Sequence, residues 1–517
     1  MLCLLGALFT CCNHGNRMNG HANVTIENSQ FIDGQRRTII WNGLNLVNKN
    51  PEQGYVDPND EELFKQFSLW GVNCVRYGIH WDGLEPEPGK INEAYLAEID
   101  KRVHWASKNG ISLILDMHQD LYSRKFGNGA PLWATLDEDL PHVTGQVWSD
   151  AYLMSPAVQK AFDNFWLNAQ AADGIGIQDH YINVWKVLAE RYNDSTSVVG
   201  FDVMNEPFMG TKAQLVLGKL VEECASCLAS TRQANLSEEQ FFNSWTDTQK
   251  RNELLAILDN KEVFLKILGH ASEYVQAFEE NELSLFYQKI RNVVRNSGSQ
   301  KILFFEHNYF CNMGIESTFK VPVDKNQQPD TLCAYAPHAY DLVVDTDGAT
   351  SPGYKRLDTI FEQLSIASNH RNLPIIIGEW GAFYMGRNYL EPAKHHIKWI
   401  SQLKAGHTYW SWWPDIETQD YFSTVISRPY PQYINGQLIS YLLDTDTHVF
   451  HCKWEESQDH GLSRFYLPDV TKITTEKLKL VPKTTYTLQR ISNESTAGYL
   501  DVESCGEIRE LQIYFDN

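Results

Sequence analysis

Basic residues are scarce in this 517-residue sequence, which contains 44 Lys and Arg against 65 Asp and Glu. The formal net charge is −21, and no run of Lys or Arg occurs anywhere in the chain. Proteins that bind nucleic acid usually carry an excess of positive charge or a basic stripe on their surface. We therefore expect no nucleic-acid partner.

Long hydrophobic runs and several common catalytic motifs are also missing. Residues 1–12 form an uncharged apolar segment, but a membrane-spanning helix needs about 20 such residues, and no later stretch reaches that length. The sequence has no G-x-x-x-x-G-K-[ST] phosphate loop and no G-x-S-x-G nucleophile elbow. Cys224-x-x-Cys227 has no second cysteine pair at zinc-finger spacing. We expect a soluble protein with no cofactor and no metal centre.

The first residues bear on the compartment in which the protein works. Residues 1–12, MLCLLGALFTCC, are similar to the apolar core of a secretory signal, although a basic lead-in and a small-x-small cleavage site are missing. We interpret residues 1–22 as a signal or tail segment and predict a secreted or lysosomal/endosomal protein. Cys452 and Cys505 are candidates for a disulfide bond in such a protein. Four N-x-S/T sequons, a number close to chance, occur at Asn23, Asn193, Asn235 and Asn493.

Eight short runs rich in β-branched and aromatic residues recur along the first four fifths of the chain. They lack polar alternation, which is typical of strands buried on both faces. Helical patterns separate them; one is expected to be capped by Asn59 and to end before Gly71. Eight strand–helix repeats predict an α/β fold, a (β/α)8 TIM barrel, rather than a doubly wound sheet. The runs are Arg37–Asn45, Asn73–Tyr77, Ser112–His118, Val198–Glu206, Lys301–Glu306, Leu332–His338, Pro374–Glu379 and His407–Trp412.

The spacing of these runs and the pattern that follows them suggest the domain organisation. Roughly 80 residues separate the third and fourth runs, and more than 90 separate the fourth and fifth. Such insertions usually lie on the functional loops of a barrel. From about residue 434, short alternating runs predict an antiparallel β-sandwich. We therefore assign residues 1–22 to the tail, 23–433 to the catalytic barrel and 434–517 to a C-terminal β-sandwich domain.

Three glutamates, Glu206, Glu306 and Glu379, stand at the ends of predicted strands, where barrel enzymes carry out their chemistry. Cleavage of a glycosidic bond needs one carboxyl group to protonate the leaving oxygen and a second to meet the anomeric carbon. A buried carboxylate needs either a role or a partner, so a salt bridge to Arg76 is the alternative for each of them. The pattern alone leaves three candidates for two roles.

Two segments carry a resemblance to a known family. Asn205-Glu206-Pro207, together with Glu379 at the end of the seventh run, resembles the pattern of glycoside hydrolase family 5, which contains retaining barrel enzymes. Asp116–Ser123 (DMHQDLYS), followed by Gly127–Trp133 (GNGAPLW), resembles the endoglycoceramidases of that family. The resemblance covers residues of about 30–430. It implies a retaining endo-β-glycosidase that cuts glycosphingolipids between the oligosaccharide and the ceramide.

The same resemblance implies roles for individual side chains. It makes Glu206 the general acid/base and Glu379 the nucleophile, with Asn205 bound to the sugar 2-hydroxyl. Arg76 and Tyr340 would hold Glu379 and lower its pKa through charge and hydrogen bonding. The other implied substrate-binding residues are Lys49, His118, Asp120, Trp166, His338 and Trp410.

Several interpretations stay open at this point. The tryptophan that stacks on the sugar is one of Trp410, Trp412 and Trp413, of which we favour Trp410. His118 and Asp120 share one face of a strand and could be metal ligands, but no third ligand is evident. The chain could instead be another family 5 β-glycosidase, either cellulase-like or glucosylceramide-cleaving. It could also be a catalytically silent glycolipid-binding protein.

A glycosphingolipid partner requires an apolar surface beside a polar sugar pocket. Candidates for the apolar surface are Leu215–Leu217, which also fit an ordinary helix core, and Phe422 with Val425. We expect transient contact with a membrane surface or a micelle, and a monomeric protein.

Overall fold

The structure, a computed structural model, describes most of the chain apart from its first residues and a few short stretches. The predicted signal or tail segment at residues 1–22 lies outside the described part, as do the sequons at Asn23 and Asn235. The described residues are 24–145, 147–232, 248–383, 387–457 and 461–516.

Eight parallel strands form a barrel, in the order seventh, eighth, then first to sixth. A bridge between Tyr335 and Ile375 joins the sixth strand to the seventh and closes the ring. Beyond that bridge, His338–Ala339 pairs in parallel with Glu379–Trp380. The predicted (β/α)8 TIM barrel is therefore confirmed. Its strands are Asn42–Leu46, Cys74–Ile79, Ser112–Met117, Val198–Asp202, Ile302–Phe305, Cys333–Tyr335, Ile376–Ile377 and Gly406–Tyr409.

Amphipathic helices surround the barrel. The first one, Glu61–Leu69, buries Phe64 and Phe67 and is capped by Asp60, whose carboxylate accepts the Glu62 N–H. The cap is therefore one residue later than predicted. The longer helices are Glu61–Leu69, Glu93–Asn109, Pro156–Trp166, Ile177–Arg191, Ala213–Arg232, Thr248–Leu258, Lys261–Phe278, Ser284–Asn296, Tyr354–Arg371 and Leu390–Gln402. Within the described ranges, none combines the length and the apolar character needed to cross a membrane.

The two long insertions are mostly helical. Short helix Asp150–Met154 and helix Pro156–Trp166 belong to the insertion after the third strand. Helices Ala213–Arg232, Thr248–Leu258 and Lys261–Phe278 belong to the insertion after the fourth. A π-helical turn, Glu279–Leu283, joins that second insertion to the helix before the fifth strand. Both insertions follow strand ends that carry the predicted site residues.

A β-sandwich of a seven-stranded and a four-stranded antiparallel sheet forms the second domain. Trp454 of the smaller sheet packs against Phe465 of the larger one, with ring centroids 5.4 Å apart. The predicted sandwich is therefore confirmed. The larger sheet contains Thr25–Glu27, Gln30–Ile32, Arg37–Ile39, Tyr430–Asn435, Ser463–Leu467, Gly498–Val502 and Tyr486–Arg490. The smaller sheet contains Gln437–Asp444, Val449–Glu455, Ile508–Tyr514 and Leu478–Val481.

The first predicted run, Arg37–Asn45, is divided between the two domains. Arg37–Ile39 pairs with Tyr430–Asn435 in the sandwich, whereas Asn42–Leu46 is the first strand of the barrel. Residues 25–39, which we assigned to the barrel segment, thus contribute three strands to the sandwich, and the expected boundary at residue 434 falls within a strand. Apolar side chains suit either sheet, so hydrophobicity alone does not reveal the break.

The candidate disulfide between Cys452 and Cys505 does not form. Cys452 is a buried thiol in the strand Val449–Glu455. Cys505 lies in the loop before the last strand, with its sulfur 3.2 Å from Arg509 Nη1. The first cysteine points into the sandwich core and the second toward a charged group, so spacing in the sequence was a poor guide to pairing.

Candidate active site

The ends of the barrel strands converge on the buried guanidinium of Arg76, in the second strand. Burial alone would lower the pKa of Arg76, but the surrounding carboxylates raise it well above its usual value. Its nitrogens contact four carboxylates and two amide oxygens. These contacts are Nε to Asp202 at 2.8 Å, Nη1 to Glu379 at 2.8 Å and Asn45 at 3.0 Å, and Nη2 to Glu306 at 2.8 Å, Asp116 at 2.9 Å and Asn205 at 2.8 Å.

Glu379 lies at the end of the seventh strand, with 5% of its surface exposed. Its Oε1 binds Arg76, and its Oε2 accepts a hydrogen bond from the Tyr340 hydroxyl at 3.0 Å. Burial raises the pKa of Glu379, and the charge of Glu206 raises it further, against the opposing charges of His338 and Arg76. We expected a lowered pKa here. That expectation is wrong because lost hydration outweighs the cationic partners.

Glu206 follows the fourth strand, is 7% exposed and has a φ of +45°. Its backbone N–H donates to Glu306 Oε2 at 2.8 Å. Its Oε1 accepts from Asn312 Nδ2 at 2.7 Å and lies 2.9 Å from His338 Nδ1. A left-handed φ is uncommon outside glycine, so the contact to Glu306 holds the backbone in a conformation it would rarely adopt alone.

The two predicted catalytic carboxyl groups face each other. One oxygen of Glu206 and one of Glu379 lie within 4.8 Å of each other. Retaining glycosidases place their carboxyl groups about 5–5.5 Å apart, whereas inverting enzymes leave about 6.5–9.5 Å for a water molecule. The observed spacing fits the retaining geometry.

Glu306, the third glutamate that the pattern left open, is enclosed by protein groups. Its Oε1 binds Arg76 and lies 3.2 Å from His338 Nε2, while its Oε2 accepts the Glu206 N–H. Its side chain has no exposed surface, in contrast to Glu206 and Glu379. This carboxylate therefore orients its neighbours and does not reach a substrate.

His338 lies between the three glutamates. Besides its contacts to Glu206 and Glu306, its Nδ1 is 3.5 Å from Glu379 Oε2. Burial alone would lower the pKa of His338, but the charges of Glu306 and Glu379 and the hydrogen bond to Glu206 raise it well above the usual range. The surrounding carboxylates therefore favour the protonated ring, whose Nδ1 donates to Glu206 and whose Nε2 lies in charge contact with Glu306.

A second group of predicted residues surrounds His118. Its Nδ1 lies 2.8 Å from Asp116 Oδ2, and Trp410 stacks on its ring with centroids 5.2 Å apart. Lys49 Nζ is 2.6 Å from Asp120 Oδ2 and 4.5 Å from the centre of the Trp410 ring. Burial lowers the pKa of His118, but Asp116 and Asp120 raise it to about 9 overall. Lys49, His118, Asp120 and Trp410 thus lie together.

Two other tryptophans lie elsewhere. The Trp412 ring packs edge-on against Phe67, so Trp410 is the residue of this run that meets the His118 group. Trp166 donates its indole N–H to the Phe208 carbonyl at 2.7 Å. Its ring partners are Phe165, Phe278 and Phe286. Among the described contacts, none joins Trp166 to the catalytic pair, and its role in binding stays a prediction.

Asn205 has both ends of its amide engaged. Its oxygen accepts from Arg76, and its nitrogen donates to the Gln119 carbonyl at 3.0 Å. The second hydrogen of that nitrogen is the one that a sugar hydroxyl could accept.

Sequence reasoning missed Asp116, Asp202 and Asn312. Asp116 lies two residues before His118 on the same strand and Asp202 lies on the fourth strand, so the period-two rule for side chains on one face of a strand could have found both. No pattern marks Asn312, which is carried by a 3-10 turn at Tyr309–Met313.

Within the part of the chain that the structure describes, two groups of buried residues have the spacing of metal ligands: Glu206, His338 and Glu379, and Asp116, Asp202 and Glu306. Arg76 binds all three carboxylates of the second group and occupies the position of a cation. In the first group the imidazolium of His338 has no lone pair to offer a metal. The donor sets present therefore suit protons and a guanidinium better than a metal ion.

A TIM barrel with glutamates paired at the ends of its fourth and seventh strands, within this distance, is the architecture of a retaining barrel glycosidase. Residues 32–416 match the family model described as Cellulase (glycosyl hydrolase family 5). The chain belongs to glycosyl hydrolase family 5, as the resemblance indicated.

The curated relatives of this chain include endoglycoceramidases and glucosylceramidases, and a solved endo-glycoceramidase shares its fold. An endoglycoceramidase of Cyanea nozakii is 32% identical over 216 residues, covering 36% of this chain and 42% of the relative. A glucosylceramidase of Aspergillus fumigatus is 25% identical over 251 residues, covering 37% and 33%. Each alignment spans less than half of the relative. Endo-glycoceramidase II from Rhodococcus sp., solved with ganglioside GM3, shares the fold with a TM-score of 0.71, 22% identity and coverage of 94% of this chain and 100% of its own.

Proposed function

We propose that this protein is a retaining endo-β-glycosidase that hydrolyses the bond between the oligosaccharide and the ceramide of glycosphingolipids. The observation that carries the proposal is the pair of carboxyl oxygens of Glu206 and Glu379, within 4.8 Å of each other at the strand ends. The names of the Cyanea relative and of the Rhodococcus complex with ganglioside GM3 support this substrate class.

The first step is the attack of Glu379 on the anomeric carbon. Glu206 transfers its proton to the ceramide oxygen as the carbon–oxygen bond breaks, and a covalent glycosyl-enzyme forms. Arg76 and Tyr340 each bind one oxygen of Glu379 and hold the carboxylate for attack. A structure of the Rhodococcus protein described as a lactosyl-enzyme intermediate supports this step.

The second step returns Glu206 to its protonated form. It takes a proton from a water molecule, the water oxygen attacks the anomeric carbon, and Glu379 leaves as a carboxylate. His338 donates to Glu206 and lies close to Glu379. Its positive charge therefore lowers the repulsion between the two carboxyl groups whenever both are ionised.

The sugar chain binds to the group around His118. Lys49, Asp120 and His118 offer charged hydrogen-bonding groups for sugar hydroxyls, and Trp410 offers an aromatic face. Such a combination of a few fixed polar groups and one flat apolar surface is typical of carbohydrate recognition.

The ceramide binds to an apolar surface beside that group. Trp148, Met154 and Leu215 are 44%, 52% and 58% exposed, and Trp148 lies 5.8 Å from Lys49 Nζ. This surface would also make the transient contact with a membrane or micelle. Of the other earlier candidates, Val216, Phe422 and Val425 are buried in the core and do not contribute, and Leu217 is half-buried against that core.

We further propose a monomeric protein that is secreted or works in lysosomes or endosomes. The apolar residues 1–12 support this localisation, as do the exposed positions of the sequons at Asn193 and Asn493. A gel shift of the protein produced in a eukaryotic secretory host after N-glycan removal, and its mass by light scattering, test these points. Absence of the shift or a dimeric mass would contradict them.

Product analysis by mass spectrometry tests the activity. Incubation with a panel of glycosphingolipids in mixed micelles should release intact oligosaccharides and free ceramide, and Glu206→Gln and Glu379→Gln should release neither. A released single glucose would favour the alternative that the Aspergillus glucosylceramidase suggests. Hydrolysis of β-glucans alone would favour a cellulase, and binding without any product a silent binding protein.

A further inference from the structure

A buried chain of three hydrogen bonds ends on the Glu206 carboxyl group. The Tyr335 hydroxyl lies 2.6 Å from His307 Nδ1, and His307 Nε2 lies 2.6 Å from Asn312 Oδ1. Asn312 Nδ2 then donates to Glu206 Oε1 at 2.7 Å. Tyr335 and His307 are fully buried, and the mechanism above assigns neither of them a role.

The orientation of the Asn312 amide sets the hydrogens along this chain. Burial lowers the pKa of His307 to about 3, so its ring is neutral and carries a single N–H. Because Asn312 donates to Glu206 through its nitrogen, its oxygen must accept from His307 Nε2–H. His307 Nδ1 is then the acceptor for the Tyr335 hydroxyl, whose pKa burial raises well above its usual value. In this arrangement Asn312 presents a donor to Glu206.

The two oxygens of Glu206 are in different situations. Both described partners of the carboxyl group, Asn312 Nδ2 and His338 Nδ1, lie against Oε1. An oxygen held by two donors is a poor site for a proton, so the proton that the reaction transfers belongs on Oε2. The orientation of the carboxyl group thus decides whether this proton meets the leaving oxygen.

The turn that carries Asn312 is fixed on two sides. Glu279, in the π-helical turn at the end of the second insertion, is fully buried and accepts the Asn308 N–H at 2.8 Å and the Phe319 N–H at 3.2 Å. Asn308 Nδ2 in turn donates to the Pro207 carbonyl at 2.9 Å. The turn is therefore attached both to the insertion and to the residue that follows Glu206.

We infer that Asn312 is a positioning residue for the acid/base. It holds Oε1 through the relay from His307 and Tyr335, so that Oε2 carries and delivers the proton. The inference rests on the proposed glycosidase function, but it does not depend on the natural aglycone. Its consequence is specific to proton transfer: the loss of Asn312 should have little effect on the hydrolysis of a substrate whose leaving group needs no proton.

The test compares two leaving groups on the same sugar. The octyl group of octyl β-lactoside would leave as a poor alkoxide and therefore needs the proton. The 2,4-dinitrophenolate of 2,4-dinitrophenyl β-lactoside leaves without one. For Asn312→Ala we expect kcat/KM on the octyl substrate to fall about 10- to 100-fold, the range for a misplaced proton donor, with KM little changed. The loss on the dinitrophenyl substrate should stay below about threefold, since the nucleophile is intact.

The pH profile gives an independent readout. Asn312 donates to the ionised form of the carboxyl group and thereby favours it. Without this donor, the alkaline limb of the pH profile of kcat/KM on the octyl substrate should move upward. Tyr335→Phe, which removes only the distal hydroxyl, should show the same selectivity with a smaller loss, and Asn326→Ala, in an exposed turn, should match the wild type.

Two outcomes overturn the inference. Equal losses of Asn312→Ala on both substrates, in protein with the wild-type circular dichroism spectrum and an unshifted pH profile, would mean a structural role only. Behaviour of Asn312→Ala like Asn326→Ala would mean no role. A wild-type protein that hydrolyses neither the lactosides nor the glycosphingolipid panel would instead contradict the proposed function itself, which distinguishes that failure from the first two.

Discussion

Two buried arginines, one in each domain, show opposite ways of balancing charge. In the sandwich, Arg509 Nη1 meets a single carboxylate, Glu456, at 2.9 Å, and neither side chain has exposed surface. The other oxygen of Glu456 accepts from Ser504 and from the N–H groups of Cys505 and Gly506. One positive charge therefore meets one negative charge, and the hydrogen bonds complete the pair.

Arg76 in the barrel faces four carboxylates instead of one. Burial raises the pKa of Asp202 well above its usual value, and the charges of Glu306 and Asp116 add to the increase that Arg76 opposes. The pKa of Glu379 is raised as well. In a balanced pair the opposite charges favour the ionised forms of both groups. In a cluster with surplus negative charge, repulsion favours protonated carboxyl groups, and those protons can be transferred. The comparison teaches that surplus charge, more than burial itself, separates a reactive site from a structural ion pair.

The largest expected difference between the two sites is in activity. Glu206→Gln and Glu379→Gln should each lower kcat by about 10³-fold or more, without lowering the melting temperature, because each removes a charge from a crowded group. Glu456→Gln should do the reverse: the melting temperature falls and the kcat of the folded protein is unchanged. Calorimetry and product analysis measure both. A melting temperature of Glu379→Gln well below that of Glu456→Gln would break the comparison.

Removal of the arginines comes next in size. Arg76→Met and Arg509→Met should each destabilise the protein by about 3–5 kcal/mol, because each leaves buried carboxylates without a cation. Only Arg76→Met should also lower the kcat of the molecules that remain folded, since Glu379 loses a partner. Urea unfolding with parallel kinetics separates these effects. Equal kcat losses in both variants would show that the sandwich is coupled to the chemistry.

We expect the barrel site to make the free energy of unfolding depend on pH. The pKa of His118 is raised to about 9 in the folded protein, against about 6.5 in an unfolded chain. This stabilisation is fully present below about pH 6.5 and is lost as the pH rises through about 9, at most about 3 kcal/mol. Unfolding free energies at pH 6 and pH 9.5 should differ less in His118→Asn than in the wild type. Equal differences in the two proteins would contradict the assignment of this pH dependence to His118.

The smallest effect is expected at Asp202, the carboxyl group whose pKa burial raises well above its usual value. Asp202→Asn should change the unfolding free energy at pH 7 by less than about 1 kcal/mol, since an amide replaces a carboxyl group whose surroundings favour its neutral form. For the neighbouring Asp116, burial raises the pKa, but Arg76 and His118 lower it overall. Asp116→Asn removes a real charge and should cost about 1–3 kcal/mol. Equal costs would mean that the surplus charge is not relieved by a proton on Asp202.

Much of the barrel was visible in the sequence because its strands are buried on both faces. Runs such as Ser112–His118 and Lys301–Glu306 appear as strands within one or two residues of the prediction. In a parallel barrel, chemistry-bearing residues follow such runs, which brought Glu206 and Glu379 forward as candidates. The pairing of Glu379 with Arg76 follows from the same geometry.

The remaining features depend on contacts between distant segments. Nothing near Thr25–Ile32 shows that it pairs into a sheet with residues beyond 430. Glu306 has the same local pattern as Glu379, and only the surrounding Arg76 and His338 show that it is enclosed. The upward pKa shift of Glu379 required a comparison of lost hydration with nearby charge, which a sequence does not contain. Asn312 lies in a turn with no motif.

The shared segment at the start of the described chain has a consequence for how the protein is made. Arg37–Ile39 is a strand of the sandwich, and three residues later Asn42–Leu46 begins the barrel. Its sandwich neighbour, Tyr430–Asn435, is synthesised almost 400 residues later, so this sheet closes only after that strand has been made. No single cut of the polypeptide separates the two domains, and an expression fragment that ends before residue 430 would expose an unpaired strand edge.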